Sequence, residues 1–133
     1  MSKRSPKKDC YPSALDVTIS GVVNVGEEYA DTAARELREE IGVPEEEALR
    51  TLQQLFVFPY QDSVCHVWGC AFSITWDGPV AFTDAEVEWG RFVALREVRA
   101  RLEADATEFT PVGRHILSLY LTSQQEGRPG QGQ

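Results

Sequence analysis

The sequence is poor in cysteine, histidine and methionine, with three, two and one of these residues among 133. Cys10, Cys65 and Cys70 are odd in number and have no C-x-x-C spacing, so neither a disulfide framework nor a zinc site is expected. His66 and His115 have no neighbours at metal-ligand spacing. We therefore expect reduced thiols, as in the cytoplasm.

Long apolar runs and an excess of positive charge are also missing. No run approaches the roughly 18 apolar residues of a membrane span, and residues 1–8 lack the apolar segment of a secretory signal. The net charge is −8 at pH 7, whereas a nucleic-acid binder usually has a basic face. We expect neither membrane nor nucleic-acid partners. An acidic chain can still bind phosphorylated small molecules through divalent cations held by its carboxylates.

The residues that are present suffice for a core. A hydrophobic content of 42% in 133 residues predicts one domain over residues 1–123. Residues 124–133 contain Gly, Gln and Pro but no bulky apolar residue, which predicts a disordered tail.

Strands are predicted in the first part of the chain and in its middle. Residues 15–25 alternate between polar and apolar types and then reach a glycine, which indicates a strand and a bend. Residues 54–60 and 64–76 are rich in aromatic and β-branched types, with Gln61, Asp62 and Ser63 between them, and predict a hairpin. Short strands are expected near 80–82 and 89–93.

Three helices are predicted from apolar spacing. Ala30, Ala33, Leu37 and Ile41 form one stripe, and Gly42 suits the left-handed position after a helix end. Leu95, Val98 and Leu102 form a second stripe; Val112, Ile116, Leu119 and Tyr120 form a third. Thr110 and Pro111 suit the N-cap and first position of that last helix. Strands on both sides of a helix, with more helices near the end, indicate a mixed α/β (α+β) sandwich.

Three carboxylates crowd one face of the first predicted helix. Glu36, Glu39 and Glu40 are related by i, i+3 and i, i+4 spacing. Mg²⁺ or Mn²⁺ would convert their repulsion into ligation, since both cations prefer carboxylate and water oxygens. The alternative is a solvated charged face balanced by Arg35 and Arg38, and the helical spacing alone does not decide between the two.

The segment containing these residues reads GVVNVGEEYADTAARELREEIGV over positions 21–43. It matches the pattern G-x5-E-x7-R-E-U-x-E-E-x-G-U, where U is bulky and aliphatic. The chain therefore resembles the Nudix hydrolase family. The specified positions hold Gly21, Glu27, Arg35, Glu36, Leu37, Glu39, Glu40, Gly42 and Val43.

The resemblance implies a function and roles for these residues. Family members bind divalent metal beside a diphosphate through this pattern, the Nudix box, which covers residues 21–43 here. Glu36, Glu39 and Glu40 would therefore be the metal ligands. Glu39, Glu40 or a hydroxide on the metal would activate the attacking water, and Arg35 would orient a glutamate. Glu27 is a weaker candidate, for ligation or for bracing the loop. The expected enzyme is a Mg²⁺- or Mn²⁺-dependent pyrophosphohydrolase acting on a nucleoside diphosphate linked to another moiety or on a related organic diphosphate.

The resemblance continues outside the box, over residues 3–121. The segment from Arg4 to Asp16 is similar to the lead-in of the branch near isopentenyl-diphosphate isomerase and its uncharacterised bacterial hydrolase relatives. Arg4 and Lys8 match positions that hold the diphosphate there, although a solvated basic start is the alternative. Glu86 falls where relatives often place an acidic residue facing the metal, and is a further candidate ligand or base.

That branch raises isomerisation as a rival reaction. The isomerase has a catalytic cysteine and a metal-binding histidine just before its box. Ser20 and Val22 occupy those positions here, and neither supplies a thiol or an imidazole. Hydrolysis is therefore the expected reaction.

The resemblance also concerns the start of the chain and implies a Nudix-type α/β/α sandwich around a mixed sheet. In this branch one or two strands usually precede the position of Arg4, so the expected sheet lacks its first strand or strands. Such a sheet would have an unpaired edge. This leaves two further possibilities: a truncated, catalytically weak or binding-only domain, and a domain completed by a partner chain. A homodimer is a separate expectation.

Overall fold

The computed structural model describes residues 1–63, 66–82 and 85–126. These contain five strands, four helices and one 3-10 turn, in this order: β1 (Ser2–Arg4), β2 (Leu15–Asp16), α1 (Tyr29–Ile41), α2 (Glu45–Thr51), β3 (Gln53–Gln61), β4 (His66–Ser73), β5 (Val87–Gly90), α3 (Leu95–Ala104), the 3-10 turn (Ala106–Glu108) and α4 (Pro111–Glu126). The predicted mixed α+β fold is confirmed.

The strands form two small sheets. One has the order β2-β1-β5, and the other is the β3-β4 hairpin. Every pairing between these strands is antiparallel, and the parallel component is a single bridge between Leu15 and Phe109. The expected mixed sheet is therefore divided, and a helix must join its two parts.

Helix α4 joins the two sheets. Val112, Ile116 and Leu119 pack against the core of the hairpin, which contains Phe58 and Tyr60. Other side chains of α4 pack on the three-stranded sheet and α3, in a cluster that includes Leu15, Val98, Phe109, Leu117 and Leu121. The helix is consequently apolar on two sides, and the predicted single stripe missed its buried Leu117.

Helix α1 packs against α2 and the segment that follows the hairpin. Leu37, Ile41 and Val43 form this core with Ala34 and Ala48. The predicted stripe is right at Leu37 and Ile41. It is wrong at Ala33, because the neighbouring Ala34, three residues before Leu37, is buried instead.

The predicted ends of two helices are confirmed. Gly42 has φ 78°, and its amide and that of Val43 donate to the last carbonyls of α1, which turns the fully buried Val43 into the core. At α4, the Thr110 hydroxyl accepts from the Gly113 amide at 3.2 Å, as an N-cap does.

Other local predictions differ from the structure. Helix α2 was not predicted, because Gly42 and Pro44 indicate a helix end and do not show that another helix begins at Glu45. Residues 80–82 form no strand; the Ala81 amide donates to the Ile41 carbonyl at the end of α1. Leu95 of the second stripe is exposed. Helix α4 continues to Glu126, three residues past the predicted domain boundary, and residues 127–133 of the predicted tail lie outside the described residues. Val64 and Cys65, in the predicted hairpin, also lie outside them.

A partly buried carboxylate ties β2 to the start of α4. Oδ1 of Asp16 accepts from the Thr110 hydroxyl at 3.3 Å and from the Thr18 hydroxyl at 3.2 Å. Burial raises the pKa of Asp16, and the hydrogen bonds from Thr18 only partly oppose that effect. The protonated carboxyl is therefore favoured by folding.

This raised pKa sets the sign of a pH dependence. The stabilising effect of protonation is complete below the ordinary pKa of 3.8 and is lost as pH rises through the higher pKa of the folded state. Asp16→Asn keeps an acceptor oxygen and does not titrate. The melting temperature of Asp16→Asn minus that of the unaltered protein should therefore increase from about pH 4 to about pH 7. A constant or decreasing difference in thermal melts would contradict the assignment.

Candidate functional site

The arrangement of the acidic face depends on Arg35, in the middle of α1. Its Nε and Nη2 donate to the two carboxylate oxygens of Glu27 at 3.0 and 3.1 Å. Its Nη1 donates to Glu36 at 3.0 Å and to Glu39 at 3.4 Å. One planar guanidinium thus contacts three carboxylates, and its two-point contact with Glu27 is the stronger geometry for such a pair.

Glu27 holds the loop before the helix. Besides the contacts with Arg35, its Oε1 accepts from the Asn24 amide at 2.9 Å and from the Thr32 hydroxyl at 3.2 Å. Arg35 also donates to the Val22 carbonyl at 3.2 Å. The hydrogen bonds from Arg35, and next the one from the Asn24 amide, lower the pKa of Glu27 to about 2. Of the two roles expected for Glu27, these contacts favour bracing the loop.

Glu36 lies against a glycine. A Cβ at Gly21 would overlap the Glu36 carboxyl group, so a side chain at position 21 would displace that carboxylate. The Glu36 side chain is 15% exposed and that of Glu39 46%. The first glycine of the box therefore provides the space in which Glu36 sits, close to Arg35.

Glu39 lies between two arginines, and Glu40 is partly buried. Arg38 Nη2 is 3.6 Å from Glu39 Oε1, and Arg38 Nε donates to Glu45 of α2 at 2.8 Å. Glu40 follows Glu36 by one helical turn on the same helix. Across residues 1–63, 66–82 and 85–126, no three His, Cys, Asp or Glu side chains converge as a ready-made metal cage.

The residues nevertheless fit a hard divalent cation. Glu36 is held beside a glycine that leaves room for it, and Glu40 is on the same helical face. Mg²⁺ usually takes only one or two protein carboxylates and completes its shell with water and substrate phosphates. A preassembled cage of three side chains is therefore not required.

The structure places Arg4, Lys8 and Glu86 together, around a cavity of about 570 Å³. Arg4 donates from Nε and Nη2 to the Cys10 carbonyl at 3.1 and 2.9 Å, and Lys8 forms an ion pair with Glu86. Lys7 also lines the cavity. Lys8 is expected from sequence at the diphosphate and Glu86 at the metal, whereas the structure pairs them with each other. They are 78 residues apart in the chain, so no local sequence pattern predicts the pair.

The structure also places several aromatic residues and the two residues that flank Gly21. Phe58 belongs to the core, whereas Trp68 is 68% exposed. Ser20 is exposed, and Val22, 81% exposed, contributes its carbonyl to Arg35. His115 packs its ring near Phe58 and Tyr60. In the part of the chain that is described, no helix is long and apolar enough to cross a membrane.

Comparison with known proteins gives consistent matches. The profile of the NUDIX domain family matches residues 1–113. An uncharacterized Nudix hydrolase of Yersinia pestis is 35% identical over 126 residues, which cover 95% of this chain and 65% of the relative. The uncharacterized Nudix hydrolase YfcD of Escherichia coli K12 is 33% identical over 121 residues, or 91% of this chain and 63% of that protein. The chain thus spans somewhat less than two thirds of these two relatives.

A substitution at the glycine tests the placement of Glu36. Gly21→Ala adds a methyl group where the Glu36 carboxyl group lies, so we expect Mn²⁺ affinity to fall at least about fivefold, or roughly 1 kcal/mol, when bound Mn²⁺ is followed by electron paramagnetic resonance. Ser20→Ala changes the adjacent exposed residue without adding an atom and serves as the control. Equal Mn²⁺ affinity in Gly21→Ala and the control would contradict this role.

The depressed pKa of Glu27 gives a second test, in EDTA-treated protein. The ion pair of Glu27 with Arg35 stabilises the folded protein fully above the ordinary glutamate pKa of 4.5. This stabilisation declines as pH falls toward about 2, the pKa of Glu27 in the folded state. Glu27→Gln should therefore lower the urea midpoint at about pH 6, and the difference from unaltered protein should narrow toward about pH 3. A difference that stays constant across this range would show that Glu27 does not brace the loop.

Proposed function

The chain belongs to the Nudix family, and we propose on that basis that it is a Mg²⁺- or Mn²⁺-dependent pyrophosphohydrolase. The substrate class is an organic diphosphate, such as a nucleoside diphosphate linked to another moiety. The observation that supports the proposal most directly is the Arg35 cluster, which holds Glu36 beside Gly21 at the expected metal face. The names of the two relatives, both uncharacterized Nudix hydrolases, agree with this reaction class.

Glu36, Glu39 and Glu40 are the proposed metal-binding residues. When bound, the cation would lower the pKa of water and neutralise charge on the phosphoryl oxygens. Glu40 is the proposed general base that removes a proton from the attacking water, with Glu39 as the alternative. Arg35 keeps Glu36 oriented through its 3.0 Å hydrogen bond. The Gly42 cap fixes the helical turn that carries Glu39 and Glu40.

Arg4 and Lys8 are the proposed residues that bind the substrate's diphosphate. Their cavity is connected to α1 through one short segment: Ala81 donates to the last carbonyl of α1, and Glu86 pairs with Lys8. Five residues span at most about 18 Å between Cα atoms, which limits how far Glu86 in the cavity wall can lie from Ala81 at the end of α1. The ion pair with Lys8 favours a role for Glu86 in orienting that lysine over one as a metal ligand.

Hydrolysis is proposed over isomerisation of an isoprenoid diphosphate. The positions just before and within the box hold Ser20 and Val22. A serine hydroxyl is a far weaker acid than a thiol, and valine cannot bind a metal. Water is then the nucleophile that the proposed carboxylates would activate.

A substrate panel is the first experiment. Nucleotide sugars, dinucleotides, coenzyme derivatives and oxidised nucleotides would be incubated with the protein and Mg²⁺ or Mn²⁺, and phosphate-containing products would be separated and quantified. Cleavage within a diphosphate that stops in EDTA supports the proposal. Binding of panel members without turnover under any metal condition would instead support the binding-only alternative.

Glu40→Gln tests the acidic face with the best substrate from that panel. Removing the carboxylate while keeping its shape should lower kcat by about a hundredfold or more, since general-base catalysis contributes 10²–10⁴-fold. The melting temperature should stay close to that of the unaltered protein.

Glu46→Gln is the matched control. It makes the same change of charge at an exposed position of α2 and should leave kcat unchanged. If Glu40→Gln and Glu46→Gln turn over equally fast, the site on α1 is wrong and the proposed function loses its chemical basis.

A further inference from the structure

The loop that carries Lys8 has an unfavourable backbone. Residues 5–13 contain no helix or strand, and Tyr11 and Ser13 have φ of 50° and 61°. Residues other than glycine seldom adopt this left-handed conformation, which persists only where surrounding contacts enforce it. The loop is therefore held in place by contacts outside its own backbone preferences.

The two ends of the loop are joined by the backbone. The Arg4 amide donates to the Ala14 carbonyl at 2.9 Å, and the Ser13 amide donates to the Ser5 carbonyl at 3.4 Å. The Ser5 amide also donates to the Glu86 carbonyl at 2.7 Å. These bonds fix where the loop starts and ends. In its middle part, the Cys10 carbonyl accepts from the Arg4 side chain at 3.1 and 2.9 Å.

The middle of the loop is tied to the hairpin by one carboxylate. Tyr11 donates its hydroxyl to Asp62 Oδ2 at 3.1 Å. The same oxygen accepts from the Tyr60 hydroxyl at 2.6 Å, and the Tyr60 ring is buried in the hairpin core. Asp62 is thereby fixed to the core and in turn fixes Tyr11, three residues after Lys8.

We propose that Tyr11 and Asp62 are positioning residues for diphosphate binding, because they hold the loop that carries Lys8 and the Cys10 carbonyl, to which Arg4 of β1 is bonded, at the cavity. This inference rests on the proposed function. A lysine has a long, flexible side chain, and a fixed backbone reduces the freedom it must lose on binding a phosphate. The tie should therefore affect substrate affinity and leave the chemical step on α1 unchanged.

The test compares KM, kcat and the Kd of inorganic pyrophosphate with Mg²⁺, measured by calorimetry. Tyr11→Phe and Asp62→Ala should raise both KM and Kd at least threefold, with kcat changed less than twofold. Asp62→Asn retains an oxygen that accepts hydroxyl hydrogen bonds and should restore both constants to within twofold. Tyr120→Phe makes the same change on α4, outside the loop and the hairpin turn, and should change neither constant.

Two patterns would overturn the positioning role. One is a Tyr11→Phe variant with unaltered KM and Kd. The other is a variant in which kcat falls while KM stays constant, since that indicates fewer folded molecules. Asp62→Ala removes the same hydrogen bond from the hairpin side and is the second test variant if Tyr11→Phe folds poorly.

Lys8→Met separates this inference from the function on which it rests. If Lys8→Met raises Kd and Tyr11→Phe does not, only the positioning role is wrong. If Lys8→Met binds pyrophosphate as tightly as the unaltered protein does, or if the unaltered protein binds none, the proposed diphosphate site is wrong and the inference falls with it.

Discussion

The acidic face of this protein depends on one guanidinium group. Arg35 separates three carboxylates that would otherwise repel one another, those of Glu27, Glu36 and Glu39. It is also the donor to the loop carbonyl at Val22. A lysine could not replace it, because one ammonium group lacks the planar fork that contacts both oxygens of Glu27. The pKa of Glu27, lowered to about 2, reflects the strength of this arrangement.

The same helix is fixed at its other end by packing. Gly42 turns the chain so that Val43 is fully buried, and the Ala81 amide donates a hydrogen bond to the Ile41 carbonyl. Arg38 adds an ion pair to Glu45 at the start of α2. The carboxylates thus project from a helix held by charge at its start and by core contacts at its end, which restricts how far they can move relative to the loop.

Patterns that depend on neighbouring residues were predictable from sequence. The helical spacing gave α1, and Gly42 and Thr110 gave helix ends, because each works through hydrogen bonds to residues a few positions away. The Nudix box singles out Gly21 by its position in the pattern. Its role, which is to leave space for the Glu36 carboxyl group, follows only from the structure. Pairs such as Lys8 with Glu86, or Tyr11 with Asp62, 51 residues apart, arise from tertiary folding and leave no periodic signal. Alanine at 33 or 34 could equally continue the stripe through Leu37, so spacing could not choose the buried one.

Charge balance connects the two halves of the proposed site. Arg35 offers one positive charge to three carboxylates, so a divalent cation would neutralise the excess negative charge that remains. The cavity instead has three cationic side chains, Arg4, Lys7 and Lys8, against two acidic ones, Asp9 and Glu86. The excess of positive charge suits an anion. A metal and a diphosphate would each reduce the electrostatic cost of binding the other, and such coupling is equal in both directions. Glu86 pairs with Lys8 and lies five residues after Ala81, whose amide donates to the last carbonyl of α1. The two charge systems are therefore linked through this segment by one hydrogen bond and one ion pair.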